Sequence, residues 1–331
     1  MKYYRPGRHF SLYTFRVFLI ACGKAAPEVF YRIRESRIMS RKLSYDHVDV
    51  FTSKPFGGNQ LAVFHSPGRL TRNQMQKIAR EMNFSETTFV LPSKSSDVDG
   101  RVRIFTPAEE IPFAGHPIIG TAYVIQGRKK GKKPDKLLLE CDAGLIEVEI
   151  SATRTKNTLT MTQPAPEFGT ALQNRGQAAR AVGIKSFEVM GGGVVSNGLD
   201  FLIVEARDEE IVGRAQLNME EATNVISRHG VIGIYLFTRV ESRRINVKAR
   251  FFAPSVGVME DPATGSAAGA LGGYLARILK FPQELVLKIE QGKEIGRKSF
   301  LRVEVGCDRG IVQNVKVAGS VAPVGEGFIR L

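Results

Sequence analysis

Arg103-Ile-Phe-Thr-Pro107, followed by Pro112-Phe-Ala-Gly-His116, is matched later in the chain by Arg250-Phe-Phe-Ala-Pro254 and then Pro262-Ala-Thr-Gly-Ser266. The first parts lie 147 residues apart and the second parts 150, so the second copy carries three extra residues. Each copy runs into a stretch of small and apolar residues. Solenoid units repeat every ~20–50 residues. A repeat at this distance implies instead two similar half-domains, each offering a glycine turn at a helix start. Two such turns facing each other would make a cleft.

The repeat extends outward from the phrase. Leu70 and Leu217 share the 147-residue offset, and Arg80 and Arg228 fall one residue from it. In the first half, His47–Phe51 and Gln60–Phe64 alternate as strands around the turn Pro55–Asn59. Met75, Ile78, Ala79 and Met82 have helical spacing over 71–83, with Thr71 as N-cap. Strands Thr87–Leu91 and Val102–Phe105 follow, then a helix Ile118–Gln126 behind Pro117, read as its first residue. The second half retraces this order: strands Leu159–Thr162 and Phe201–Val204, helix Asn218–Arg228, strands Gly233–Phe237 and Val247–Phe252, and helix Ser266–Leu279. That last helix is rich in Ala and Gly and has little polar surface before Arg277. A helix apolar all round is buried, and small side chains let it fit inside a narrow curved sheet.

The expected fold class is α+β, with two pseudo-symmetric halves, each a curved sheet or barrel wrapped on a central helix. The expected organisation is a basic N-terminal extension at 1–42, a first half-domain at 43–154 and a second at 155–331. Strands near 300–305 and 311–318 return to pair with one half.

Composition agrees with a globular protein. The chain has 331 residues, 43% hydrophobic and 24% charged, with 20 Phe and no Trp. Its three cysteines, Cys22, Cys141 and Cys307, are too few and too scattered for a disulfide framework or a zinc site, and suit a reducing, cytoplasmic setting. No window approaches the ~18 apolar residues of a membrane-spanning helix. The net charge of +14 points towards nucleic acid until its distribution is read: residues 1–42 hold ten Lys/Arg against two Glu. A second basic cluster, Arg128–Lys133, reads as one loop. The rest is nearly balanced, so the basic faces are read as solvated, without a nucleic-acid module.

The first forty residues admit several readings. Arg16 interrupts the apolar run Phe10–Ala21 that a secretory signal needs. Leu19-Ile-Ala-Cys22 resembles a lipoprotein box but follows too short an apolar segment. An Arg-rich, acid-poor transit peptide fits the composition. So does a plain extension, with Met39 as the true start.

The chemistry is expected at the glycine turns. A helix start carries unpaired N–H groups and a partial positive charge, and binds carboxylates. Gly115 and Gly265 allow close backbone approach, His116 and Ser266 add a side-chain donor at each start, and Asp261 precedes the second turn. Ordinary capping accounts for either motif alone; the matched pair is what argues for a site. Glu86, in Asn83-Phe-Ser-Glu-Thr87 between a helix and a strand, is the candidate general acid/base, provided burial raises its pKa. Its counterpart in the second half is Gly233 or Ile234, neither an acid. Gly191–Gly193 fails the spacing of a dinucleotide fingerprint, the five His lack metal-ligand spacing, and no nucleophile elbow is present. His47 and His65 are read as strand-end residues.

Asp49–Phe64, Asn83–Phe89, Pro112–Pro117 and Glu260–Ala268 together resemble the PhzF-like (phenazine biosynthesis) isomerase family, as do Gly233–Thr238 and Pro323–Gly327. The match runs from about residue 44 to the end. The resemblance implies a diaminopimelate-epimerase-like fold with the site between the halves, no cofactor and no metal, and a homodimer. It implies a proton shuttled by Glu86, with His116 and Asp261 assisting and Gly115, Gly265, Ser266 and Asn59 binding a small anionic metabolite. In diaminopimelate epimerase each helix-start turn carries a catalytic cysteine. Gly115 and Gly265 stand at those places here, which argues against a two-thiol mechanism. The N-terminal extension and the basic loop 126–136 depart from the family pattern. The expected function is therefore a cofactor-independent isomerase acting on a small carboxylic acid. The alternative is a non-catalytic binding or partner protein that keeps the fold, and a nucleic-acid binder ranks third.

Overall fold

Arg103 and Arg250 lie at equivalent points of two equivalent strands, Gly100–Phe105 and Val247–Ala253. In the first half Thr87 pairs with Phe105; in the second Ile234 pairs with Phe252, both partners displaced by the repeat offset. The computed structural model in which this is seen describes residues 41–65, 68–152, 157–241, 246–309 and 311–331. The readings placed on residues 1–40, including Cys22 and Met39, lie outside the described residues.

The same strand path is traced twice. In spatial order the first half runs Lys42–Val50, Asn59–Phe64, Glu86–Leu91, Gly100–Phe105, Lys136–Cys141, Gly144–Ala152 and Asn157–Gln163. The second runs Val189–Ser196, Asp200–Ala206, Gly233–Arg239, Val247–Ala253, Glu284–Gln291, Ser299–Asp308 and Ile311–Gly319. From one strand to the next, both halves go antiparallel, parallel, antiparallel, parallel, antiparallel, antiparallel. Asn157–Gln163, expected to open the second half, instead closes the strand path of the first; it pairs antiparallel with Ile311–Gly319 and joins the halves. The last strand, Val321–Arg330, returns to pair with Lys42–Val50.

Each half wraps one central helix, Gly115–Arg128 or Gly265–Ile278. Both are lined by buried small and aliphatic residues, and together they anchor a core that is continuous between the halves. Both begin earlier than the periodicity predicts, so Pro117 is the third helical residue rather than the first. Its missing N–H costs nothing there, because the first four N–H groups of a helix have no intrahelical acceptor. On the outside, helix Arg72–Met82 buries Met75, Ile78 and Ala79 and is capped by Thr71 and Gln74 in a reciprocal pair. Its end is turned by Asn83 in the left-handed region, φ 53°, which delivers the chain to Ser85 and Glu86. Helix Met219–His229, capped by Asn218, is its counterpart.

Two local expectations are corrected. Phe51 does not close the first strand; it takes φ 65° and leaves the ladder. That strand starts at Lys42, so His47 is a mid-strand residue stacked on Phe84 with centroids 4.8 Å apart. Gly191–Gly193 belongs to strand Val189–Ser196 and lets neighbouring backbone pack closely.

The repeat also duplicates an ion pair that spacing alone hides. Arg103 forks onto Glu110, with Nε–Oε1 2.6 Å, and Arg250 forks onto Glu260, with Nε–Oε1 2.8 Å. Arg250 also donates to the carbonyls of Val212 and Ala215. The second pair is the more buried, with side-chain exposures of 8% and 10% against 19% and 9%. A buried charge that loses its partner is expensive. Glu260→Gln is therefore expected to destabilise the protein by about 3 kcal/mol, more than Glu110→Gln, measured by urea denaturation.

Candidate active site

The two central helices meet start to start. A Cβ added to Gly115 would lie 2.9 Å from the Ser266 nitrogen and 3.0 Å from Gly265 Cα. Glycine is required here by close backbone approach, not by an unusual φ. Neither N-cap, Ala114 or Thr264, caps its helix with a side chain. Thr264 Oγ1 instead donates to Asp261 Oδ2 at 2.6 Å. Two helix starts with N–H groups uncapped by side chains are thus held against each other beside a narrow cleft of about 40 Å³.

Glu86, Asp261, Thr264 and Ser266 line that cleft, with Ala114 between them. Glu86 opens strand Glu86–Leu91 directly after Ser85, and keeps 15% of its side-chain surface exposed. Its Oε2 stands 3.3 Å from His116 Nε2. The two atoms are within ion-pair distance but not aligned for a hydrogen bond, and neither has another hydrogen-bond partner. Burial holds Glu86 well above the usual carboxylate range, and the charge of Asp261 adds to the effect. Burial drives His116 the other way, down to about 3, against a backbone contact with Gln60 that opposes the shift. Desolvation disfavours the charged form of each, so the imidazole is neutral at neutral pH and Glu86 holds its proton to higher pH than an ordinary carboxyl.

Asp261 is held by three donors: Asn59 Nδ2 and Ser85 Oγ on Oδ1, both at 2.8 Å, and Thr264 on Oδ2. Despite them burial pushes Asp261 up to about 6. Asn59 is 1% exposed and does not reach the cleft wall. Its amide nitrogen serves Asp261, the Ala263 carbonyl at 3.0 Å and the edge of His116 Nδ1 at 3.1 Å. Gln291 supports the second turn from behind, donating to the Asp261 carbonyl at 2.8 Å and accepting from Tyr235 Oη at 3.1 Å. Gln163 donates to the Gly265 carbonyl at 3.0 Å.

The structure thus gathers all seven residues expected from the sequence. Glu86, Asp261 and Ser266 lie on the wall, Gly115 and Gly265 at the helix junction, and His116 and Asn59 immediately behind. Sequence reasoning missed Ser85 and Thr264, although each adjoins an expected residue, and missed Gln291 and Tyr235, for which spacing offers no signal.

The parallel register also settles the counterpart of Glu86. Glu86 is the first residue paired with Asn59–Phe64, opposite Leu61; Gly233 is the first paired with Asp200–Ala206, opposite Phe201. A Cβ at Gly233 would lie 2.6 Å from the Phe252 carbonyl oxygen, so the second half has no room for any acid there. Cys141 and Cys307 are free and absent from the cleft wall. Among the described residues no group of three His, Cys, Asp or Glu is arranged to hold a metal, and no helix is long and apolar enough to cross a membrane.

Two half-barrels on paired central helices define the diaminopimelate-epimerase-like class of fold. Within that class the particular family is also clear. Residues 48–327 match the family model described as phenazine biosynthesis-like protein, and the chain belongs to that family. It is 37% identical to trans-2,3-dihydro-3-hydroxyanthranilate isomerase of Pseudomonas chlororaphis, over 87% of this chain and 99% of that one. It is 33% identical to antisense-enhancing sequence 1 of Schizosaccharomyces pombe, over 86% and 99%. A PhzF-family protein from Bacillus anthracis superposes with a TM-score of 0.80 at 28% identity, over 88% of this chain and all of that one.

Proposed function

We propose that this protein is a cofactor-independent isomerase that moves a proton between two carbons of a small carboxylic acid, with Glu86 as the only proton carrier. The observation that carries this reading is the buried carboxyl of Glu86, held well above its usual range, facing neutral His116 beside two uncapped helix starts. The isomerase name of the 37%-identical relative supports the reaction class.

In this reading the substrate carboxylate sits at the helix junction, on the N–H groups that follow Ala114 and Thr264. Ionised Glu86 takes a proton from a carbon in conjugation with that carboxylate, and the electron pair of the C–H bond moves into the π system. The charge reaches the carboxylate oxygens, where the helix starts oppose it without reorganising. Glu86, now neutral, returns the proton to the far end of the π system on the same face. Nothing is oxidised, and substrate and product are isomers. Asp261 orients a substrate amine or hydroxyl, and Asn59 acts as a positioning residue for Asp261 and His116.

Solvent-deuterium exchange into a panel of unsaturated carboxylic acids, trans-2,3-dihydro-3-hydroxyanthranilate included, tests the reading. Exchange that disappears in Glu86→Gln is expected. Exchange that survives that change removes Glu86 from the mechanism, and no exchange into any acid of the panel removes the isomerase.

The pH dependence follows from the same shifts. Glu86 must be ionised to act as base, so kcat/KM is expected to fall as pH falls through its raised pKa. The midpoint should lie above the ordinary Glu value of about 4.3. Asp261→Asn removes a negative charge that raises that pKa, so the acid limb should move to lower pH in this variant. A limb that does not move would show that another group titrates.

A further inference from the structure

The second copy of the repeat has three residues more than the first, and the fold puts them to use. They fall between Pro254 and Pro262, where the chain makes the single turn Pro254–Val256, closed by Gly257 at φ 82°, whose N–H donates to the Pro254 carbonyl at 3.1 Å. The first copy reaches strand Glu110–Ile111 from Pro107 through the short bend Thr106–Glu109, without such a helical turn. The added turn brings Val256 and Val258 onto the cleft, beside Leu199, Phe201, Ile232 and Phe251. Phe201 and Phe251 meet edge to face with centroids 5.8 Å apart, which stiffens the wall.

This wall belongs entirely to the second half and contains no charged or hydrogen-bonding side chain. The polar groups on the cleft, Thr106 apart, are Glu86, Asp261, Thr264 and Ser266, gathered about the helix junction. No Lys or Arg lines it. The cleft is therefore polar where a carboxylate would sit, proton-handling beside that, and apolar along the wall built by Leu199, Phe201, Ile232, Phe251, Val256 and Val258.

We infer that the substrate carries, away from its carboxylate, an uncharged apolar group of aryl or branched-alkyl kind that lies on this wall, and no second anionic group. The inference rests on the carboxylate placement given above. A second carboxylate on the wall would lose its water and gain no partner, whereas apolar surface is favoured there and displaces poorly held water. The repeat then has a division of labour: the first half supplies the acid, and the longer second copy recognises the apolar end.

Three probes share an unsaturated carboxylate and differ at the other end: crotonate (methyl), cinnamate (phenyl) and fumarate (a second carboxylate). Their dissociation constants, measured by calorimetry on the full chain and on Glu86→Gln, test the inference. Cinnamate is expected to bind at least about tenfold more tightly than crotonate, the discrimination typical of an apolar pocket, and fumarate no more tightly than crotonate. Val256→Asp, at a half-buried position, should erase the cinnamate advantage and leave crotonate binding unchanged. Equal binding of the three, binding by none, a preference for fumarate, or a cinnamate advantage that survives Val256→Asp overturns the inference. The apolar preference is measured without turnover, so it can stand when Glu86-dependent exchange fails, and can fail while exchange persists.

Discussion

Glu86→Gln is expected to lower turnover by about 10³-fold or more, the loss that follows removal of a general acid/base, while ligand binding is largely kept. The glutamine amide preserves the shape of the side chain and its approach to His116, but it neither accepts a proton from carbon nor returns one. No other group on the cleft wall can substitute. Asp261 is occupied by Asn59, Ser85 and Thr264, and the equivalent position of the second half is Gly233, where a side chain would strike the Phe252 carbonyl. The same variant has a stability signature that a merely structural residue would not show. A carboxyl whose folded pKa is raised contributes most to stability below its unfolded pKa, and loses that contribution as pH rises through the folded value. Wild type should therefore lose stability relative to Glu86→Gln on going from acid to mildly alkaline pH. Thermal unfolding at several pH values checks the sign. A Tm difference that does not vary with pH would mean that Glu86 is not strained by burial.

Gly115→Ala should also be damaging, through geometry alone. Its Cβ would press on the Ser266 nitrogen, Gly265 Cα and the Gly265 carbonyl carbon, at 2.9, 3.0 and 3.1 Å. All three are backbone atoms and cannot rotate away, so the helix starts must separate. Overpacking of this kind costs about 1–3 kcal/mol. A shift near 1 Å in groups that position a substrate costs about 10²-fold in rate. Gly127→Ala, on the same helix, is the control: its Cβ would meet nothing within 4 Å, and removing glycine from a helix gains about 0.5–1 kcal/mol. Equal behaviour of the two variants in denaturation and kinetics would refute the close helix junction.

How much could be read before folding depends on distance along the chain. The Thr71 cap, the Met75–Met82 stripe and the two glycine turns are short-range patterns, and the structure shows them within a residue or a turn of where they were expected. Helix starts were placed late because Gly115-His-Pro117 looks like a loop to propensity. In the fold Gly115 packs against the backbone of Gly265 and Ser266 in the opposite half, and His116 is held by Asn59 of its own half. Strands Lys136–Cys141, Gly144–Ala152, Val189–Ser196, Glu284–Gln291 and Val321–Arg330 went unassigned in the sequence reading. The pairing of Lys42–Val50 with Val321–Arg330 spans nearly the whole described chain, and no local pattern encodes such a contact. The Arg103–Glu110 and Arg250–Glu260 pairs were within reach, since both residues recur in both copies, but their separations differ by the three-residue excess.

Residue identity and spacing alone determined the duplicated frame, the glycine at each helix start and the presence of one acid, Glu86, without a twin. Only the tertiary structure decided what these residues meet. Asn59 reaches Asp261 across 202 positions, Glu86 faces His116, and the longer second copy brings Val256 and Val258 onto the cleft. Those contacts follow from how two curved sheets pack their central helices start to start. That packing is governed by the whole buried core, so no single stretch of sequence carries it.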